Sequence, residues 1–183
     1  MTLTYYIDAA NIIIGTDGDW DRNSEANCGP PDSAYRVLGT RLWDHIDNAD
    51  TRSYLNAIFF AARCRKTTIS LLYRCDTPQE ARQFRMTISA GYDNELMVTH
   101  TPCDLVPSRL PTRVLEAGKT YHTPRCSICC AHLVDDQWID PMRHRAARFT
   151  ASVNTVCTSC KAVASDVLTD VFPKSMAQAC IFG

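Results

Sequence analysis

Long apolar runs are missing from this chain of 183 residues: nothing approaches the roughly 18 uninterrupted apolar positions that a transmembrane helix needs, so none is expected. A charge excess of either sign is missing too, because 19 Lys and Arg stand against 20 Asp and Glu for a net charge of −1. No overall field then holds the chain on nucleic acid or an anionic membrane, and any such contact must be a local patch. The segment from Met1 to Asp8 has no basic stretch followed by an apolar one, which argues against a secretory signal. There is no glycine-rich phosphate loop, no nucleophile with a placed base and no pair of carboxylates that spacing forces together, so the chain is not expected to be an enzyme.

What is present is ordinary globular composition, 45% hydrophobic and 21% charged, with an unusual ten cysteines. With neither signal nor span, the thiols are placed in a reducing cytoplasm, where close Cys pairs more often hold metal than form disulfides. Cys28, Cys64, Cys75 and Cys103 are isolated, whereas Cys126, Cys129, Cys130, Cys157 and Cys160 fall close together. That asymmetry suggests two units, 1–102 and 122–183, joined by a connector over 103–121. Pro107 and Pro111 cannot donate to a ladder or continue a helix, so the connector reads as extended.

In the first unit, Leu3 to Ile7 and Ile12 to Ile14 read as strands joined by a turn over Asp8 to Asn11. Gly15 to Ser33 reads mostly as loop, with one helical turn around Trp20. Tyr54, Leu55, Ile58, Phe59 and Ala62 then recur at helical spacing, with Asp50 placed to cap the start. Three strands follow, Thr67–Cys75, Gln83–Ala90 and Glu95–His100, whose short links predict an antiparallel meander. Phe84, Met86 and Ile88 alternate with Arg85, Thr87 and Ser89, so one face of the middle strand is apolar. Arg74 and Asp76 share a strand face and can pair with each other or with Arg85.

This order resembles a PAS domain, and the resemblance covers roughly residues 3–102. It rests on the hairpin from Tyr5 to Ile13, on the stretch from Val37 to Ile46 around Leu42-Trp43-Asp44, and on Tyr73 to Asp76 followed by Arg85 to Ile88. The resemblance implies an α+β fold, a five-stranded antiparallel sheet with helices on one face. It also implies sensing of a small ligand in the pocket between sheet and helices, or pairing with another protein. Tyr54, Phe59, Tyr73 and Met86 are the candidate lining of that pocket. Haem is disfavoured because residues 50–65 hold no His to serve as axial ligand, with His45 and His100 only formal candidates. Flavin is disfavoured as well, and the pocket ligand stays unnamed.

Cys126-Ser-Ile-Cys129 and Cys157-Thr-Ser-Cys160 are two C-x-x-C pairs. Two residues between ligands let a tight turn aim both thiolates at one ion, and two such knuckles complete a tetrahedral four-sulfur site. The span between them exceeds the common zinc-ribbon loop of about 15–20 residues, but each doubling of loop length costs only about 0.6 kcal/mol. The stretch also resembles the cysteine-rich appendix that follows bacterial PAS domains, from Cys126 through Trp138 to Cys160, over about 126–168. Asn154 and Thr155 stand where that family carries His-Gly, and Cys130 where it carries Lys. The expectation is one structural Zn²⁺ on Cys126, Cys129, Cys157 and Cys160 in a small zinc-ribbon-like module ending in a helix from about Cys160 to Val171. An iron–sulfur cluster or a redox dithiol uses the same ligands. Cys130 is a competing neighbour, and His122, His132 and His144 are reserve ligands.

Together the two resemblances imply a bacterial cytoplasmic sensory or signalling module that works by protein contact, as a homodimer or with a signalling partner. Arg143, Arg145 and Arg148 form a basic cluster, with Arg145 and Arg148 expected on one helical face, and raise nucleic-acid binding as an alternative; near-neutral charge and the lack of interleaved aromatics favour a solvated face instead. A thiol redox switch that expels the metal is the other alternative.

Overall fold

The computed structural model describes residues 2–26, 30, 33–77 and 79–169, and the described residues form two sheets and four α-helices. The first sheet has five antiparallel strands in the order β2-β1-β5-β4-β3: β1 Leu3–Ile7, β2 Ile13–Gly18, β3 Ile69–Arg74, β4 Gln83–Ala90 and β5 Leu96–Cys103. The expected meander is present, with β4 between β3 and β5. Asp8 builds the first turn by accepting the amides of Ala10 and Ile12 on Oδ1, while Asn11 takes a positive φ of 60°. The chain therefore belongs to the mixed α+β class.

Several boundaries differ from the sequence reading, each for a local reason. Strand β2 continues to Gly18, through a stretch whose Gly and Asp content suggested loop, because it is an edge strand laid against Tyr6: a Cβ on Gly15 would stand 3.2 Å from the Tyr6 ring. Helix α1, Trp20–Ala26, follows it, then the short α2, Ser33–Val37. The long helix α3, Ala49–Arg65, is capped by the Asn48 side chain accepting from the Thr51 amide, not by Asp50. Strand β5 outruns its expected end at His100 because Thr101, Pro102 and Cys103 keep register with Arg85, Phe84 and Gln83.

Inward positions of the sheet and one stripe of α3 form the core. Ile7, Ile88, Leu96, Val98, Ile58 and Phe59 are fully buried, and Trp43 stacks on Phe59 at 6.0 Å between ring centres. At the far end Tyr5 stacks on His100 at 5.6 Å, and the His100 ring shares a 2.9 Å hydrogen bond with the Tyr73 hydroxyl.

Residues 104–119 carry no strand or helix. The second sheet has the order β8-β7-β6-β9, from β6 Thr120–Cys126, β7 His132–Val134, β8 Gln137–Ile139 and β9 Arg148–Thr155. Helix α4, Thr158–Thr169, follows; the expected end at Val171 lies outside the described residues, as do Cys28 and Cys180. Arg143, Arg145 and Arg148 do not share a helix: Pro141–Arg143 is one 3₁₀ turn, and Arg148 opens β9. Pro141 favours the start of that turn and its missing N–H forbids a longer helix built back through it.

The two sheets share one apolar cluster. Cys126, Ile128, Ala131, Val156, Cys157, Ala164 and Leu168 belong to the same core as Tyr54, Ile58 and Met86. Asn48 donates from its amide nitrogen to the Asn154 carbonyl, and Asp50 accepts from the Thr155 hydroxyl and lies 3.5 Å from Lys161 Nζ. The N-terminal turn of α3 is thereby fixed to the end of β9 and to α4.

Candidate metal centre

The pairing of β6 with β9 is parallel, which is what brings two distant C-x-x-C pairs together. Cys126 ends β6 and stands in register with Thr155, which ends β9, so both strands deliver their following turns to the same edge. A parallel pair demands a crossover of at least a dozen residues, and here it holds β7, β8 and the 3₁₀ turn. The span that looked long for a zinc ribbon is the length of that crossover.

The four sulfur atoms of Cys126, Cys129, Cys157 and Cys160 all lie within 4.8 Å of one another. Cys126 Sγ is 3.9 Å from Cys160 Sγ, and Cys129 Sγ is 3.7 Å from Cys157 Sγ. Four sulfurs each about 2.3 Å from one tetrahedral ion would stand about 3.8 Å apart, so these thiols are spaced to hold one metal ion. The amides of Ile128 and Cys157 donate to Cys126 Sγ at 3.4 and 3.3 Å, one from each knuckle. Cys157 directly precedes α4 and Cys160 lies in its first turn, where the positive end of the helix favours thiolate.

Cys126 and Cys157 are buried, while Cys129 and Cys160 are half-buried. Hydrogen bonds from Cys129, Cys157 and Cys160 hold the Cys126 thiol well below its ordinary range, and the resulting charge and shared protons push Cys129 and Cys160 up. Crowded thiolates of this kind repel one another unless a cation lies among them.

Cys130 is not part of this cluster. Its backbone takes a positive φ of 59°, and its buried sulfur accepts from Arg125 Nη2 at 2.9 Å while its S–H donates to the Arg74 carbonyl. Burial pushes this thiol up. His132 shares a hydrogen bond with Thr123 and leans on Phe149, His144 is buried, and His122 is exposed; none of them joins the four sulfurs.

The four residues proposed to line a pocket lie in or against the core cluster. Phe59 is packed under Trp43 and Met86 is buried. Tyr54 sits beside the thiols; burial first, and then the cysteine charges, push its hydroxyl up. Tyr73 stands between Phe84 and His100. His45 bonds the Thr40 hydroxyl.

Sequence reasoning missed the polar joint between the sheets. Arg74 reaches Asp76 Oδ2 at 2.5 Å and Asp140 Oδ2 at 2.7 Å, with all three side chains nearly excluded from water. Burial pulls the guanidinium down, but the hydrogen bonds to Asp76 and Asp140 outweigh it and hold it above its ordinary value. The Arg74 amide also donates to the Ile128 carbonyl. Arg85 reaches the Ser70 hydroxyl instead of joining this network. Pairing of Arg74 with Asp76 was legible from their shared face; Asp140, 66 positions from Arg74, carried no signal.

No family model matches the chain, and no curated protein matches it. Among the described residues no helix is long and apolar enough to cross a membrane.

Proposed function

We propose that the chain is a PAS-like cytoplasmic signalling module that acts by protein contact, with one structural Zn²⁺ held by Cys126, Cys129, Cys157 and Cys160. The observation that carries this reading is the closed four-thiol site set in the core that α3 shares with both sheets. Four thiolates fill a tetrahedral shell and leave no position for a substrate, so the ion's work is to hold the second sheet against the first. The five-stranded antiparallel sheet with α3 packed against it supports the PAS resemblance, and self-association as a homodimer follows from that resemblance by analogy. A rigid, metal-held unit fastened to the sensory core gives a partner protein a surface whose shape depends on both.

Native mass spectrometry of the full chain tests this reading. The expected spectrum shows a dimer with one zinc per chain. Protein purified without chelator that carries no metal, or carries iron with sulfide, overturns the zinc assignment, and a monomer at micromolar concentration overturns the homodimer.

A further inference from the structure

The cavity at the joint between the two sheets is the feature that the metal centre leaves unused. A groove of about 860 Å³ is bordered on one side by Asp76, Thr77 and Gln79 from the link between β3 and β4. Its other side is the second sheet and the turn before β9, including Arg125, Arg145 and Arg148. That volume falls within the range of small-molecule sites, about 300–1,000 Å³.

Its charge is what decides its ligand. Three arginines near the groove have protein acceptors: Arg74 holds two carboxylates, Arg113 pairs with Asp135, and Arg143 donates to the carbonyls of Ser108 and Leu110 and to the Thr112 hydroxyl. Arg145 and Arg148 have no side-chain acceptor among the described residues, and the acceptor of Arg125 is the sulfur of Cys130. The one carboxylate on the wall, Asp76, is already engaged twice by Arg74. His132 on the floor is neutral, its pKa pushed down to about 4 by burial first and by Arg125 second, so it cancels none of the positive charge and adds none. Three guanidiniums therefore face a groove with no free anion, beside an apolar wall of Pro141, Met142, Ala147 and Phe149.

We propose that this groove binds a small phosphate-bearing molecule, with Arg125, Arg145 and Arg148 on its phosphate oxygens and the apolar wall against its organic part. Planar guanidiniums match phosphate oxygens in pairs, and charge-assisted bonds of this kind are the strong ones. The Phe149 ring is held by two neighbours, Tyr121 stacked at 5.7 Å and His132 tilted against it at 5.1 Å. Since the groove is walled by the β3–β4 link and by the second sheet, an occupant would tie the two together.

The test is calorimetric titration of the full, metal-loaded chain with pyrophosphate, and separately with ADP, at low salt. Saturable one-to-one binding is expected, with ADP the tighter because of its organic part. Arg145→Ala and Arg148→Ala should each weaken it about tenfold, while Arg85→Ala, on the other sheet, leaves it unchanged. Circular dichroism and metal content verify that each variant is folded. Absence of saturable binding by both probes overturns the proposal, as does binding that Arg145→Ala and Arg148→Ala leave intact. Retention of an RNA oligomer with both small probes silent overturns it in favour of a nucleic-acid surface.

Discussion

In the five-stranded sheet, Ile7, Ile88, Leu96 and Val98 are fully buried beneath Ile58 and Phe59 of α3, whereas strand β9 of the four-stranded sheet leaves most of its residues exposed. The strands of the second sheet bury Cys126, His132, Val134 and Ile139, and the turns and helix beside them add Ile128, Val156 and Leu168. At about 25 cal/mol per Å² of apolar surface, burial contributes less to the second sheet, whose strands bury fewer large side chains. Its remaining sources of order are specific: the thiol cluster, the Arg74 joint and the seam along α3. Two ways of specifying a fold, bulk burial and a few strong local bonds, therefore meet in one core.

The comparison is broken most severely by removing one thiol. Apparent zinc-binding free energies of structural sites run to about 10–16 kcal/mol, which is as much as or more than a whole domain's usual stability of about 5–15 kcal/mol. Cys157→Ser is expected to abolish hydrogen-exchange protection throughout β6 to β9 and α4. With Val156, Ala164 and Leu168 packed in the same cluster as Ile58, the first sheet should stay folded but melt at a lower temperature. Exchange and melting curves identical to those of the unaltered chain would show that the thiols contribute nothing to the fold.

The contrast also explains what was legible beforehand. Strand β4 could be read to the residue because Phe84, Met86 and Ile88 alternate cleanly with polar neighbours, and a half-buried strand must show that period. The four thiols could be read because two-residue spacing is imposed by the coordination geometry itself. The start of edge strand β2 was legible, but its continuation through Gly15 to Gly18 was hidden, since exposed backbone pairing needs no apolar residue. The cap on α3 was misplaced by two positions because Asn48 and Asp50 are both good caps, and the choice was made by tertiary contacts of Asp50 with Thr155 and Lys161. The helical face expected for Arg145 and Arg148 is absent because Pro141–Arg143 is a single 3₁₀ turn and Arg148 already opens β9.

A smaller break is available at the joint itself. Arg74→Ala leaves Asp76 and Asp140, whose side chains are 6% and 5% exposed, without their shared cation. Removing one partner of a buried ionic set costs about 3–5 kcal/mol, because the remaining charges stay buried and uncompensated. The expected result is an unfolding free energy, from urea titration, lowered by that amount with zinc content unchanged. A loss below about 1 kcal/mol would mean that water reaches the two carboxylates and that burial and metal suffice to join the sheets.

The mildest perturbation sharpens the comparison by acting on the first sheet without a mutation in its apolar set. His100 lies between Tyr5 and Tyr73, and burial pushes its pKa from 6.5 down to about 4. The unfolded chain therefore binds a proton between about pH 6.5 and 4 that the folded chain refuses, so stability is complete above pH 6.5 and falls as pH drops toward 4. The full loss is about 3 kcal/mol at most, at about 1.36 kcal/mol per unit of pKa difference. Acid also protonates the metal-binding thiolates, so the informative quantity is a difference. His100→Gln, which cannot titrate, should lose less stability than the unaltered chain across this window, by up to that amount, while zinc release follows the same pH curve in both. Parallel stability curves would show that His100 takes up its proton in the folded chain, and that acid reaches the molecule through the second sheet alone.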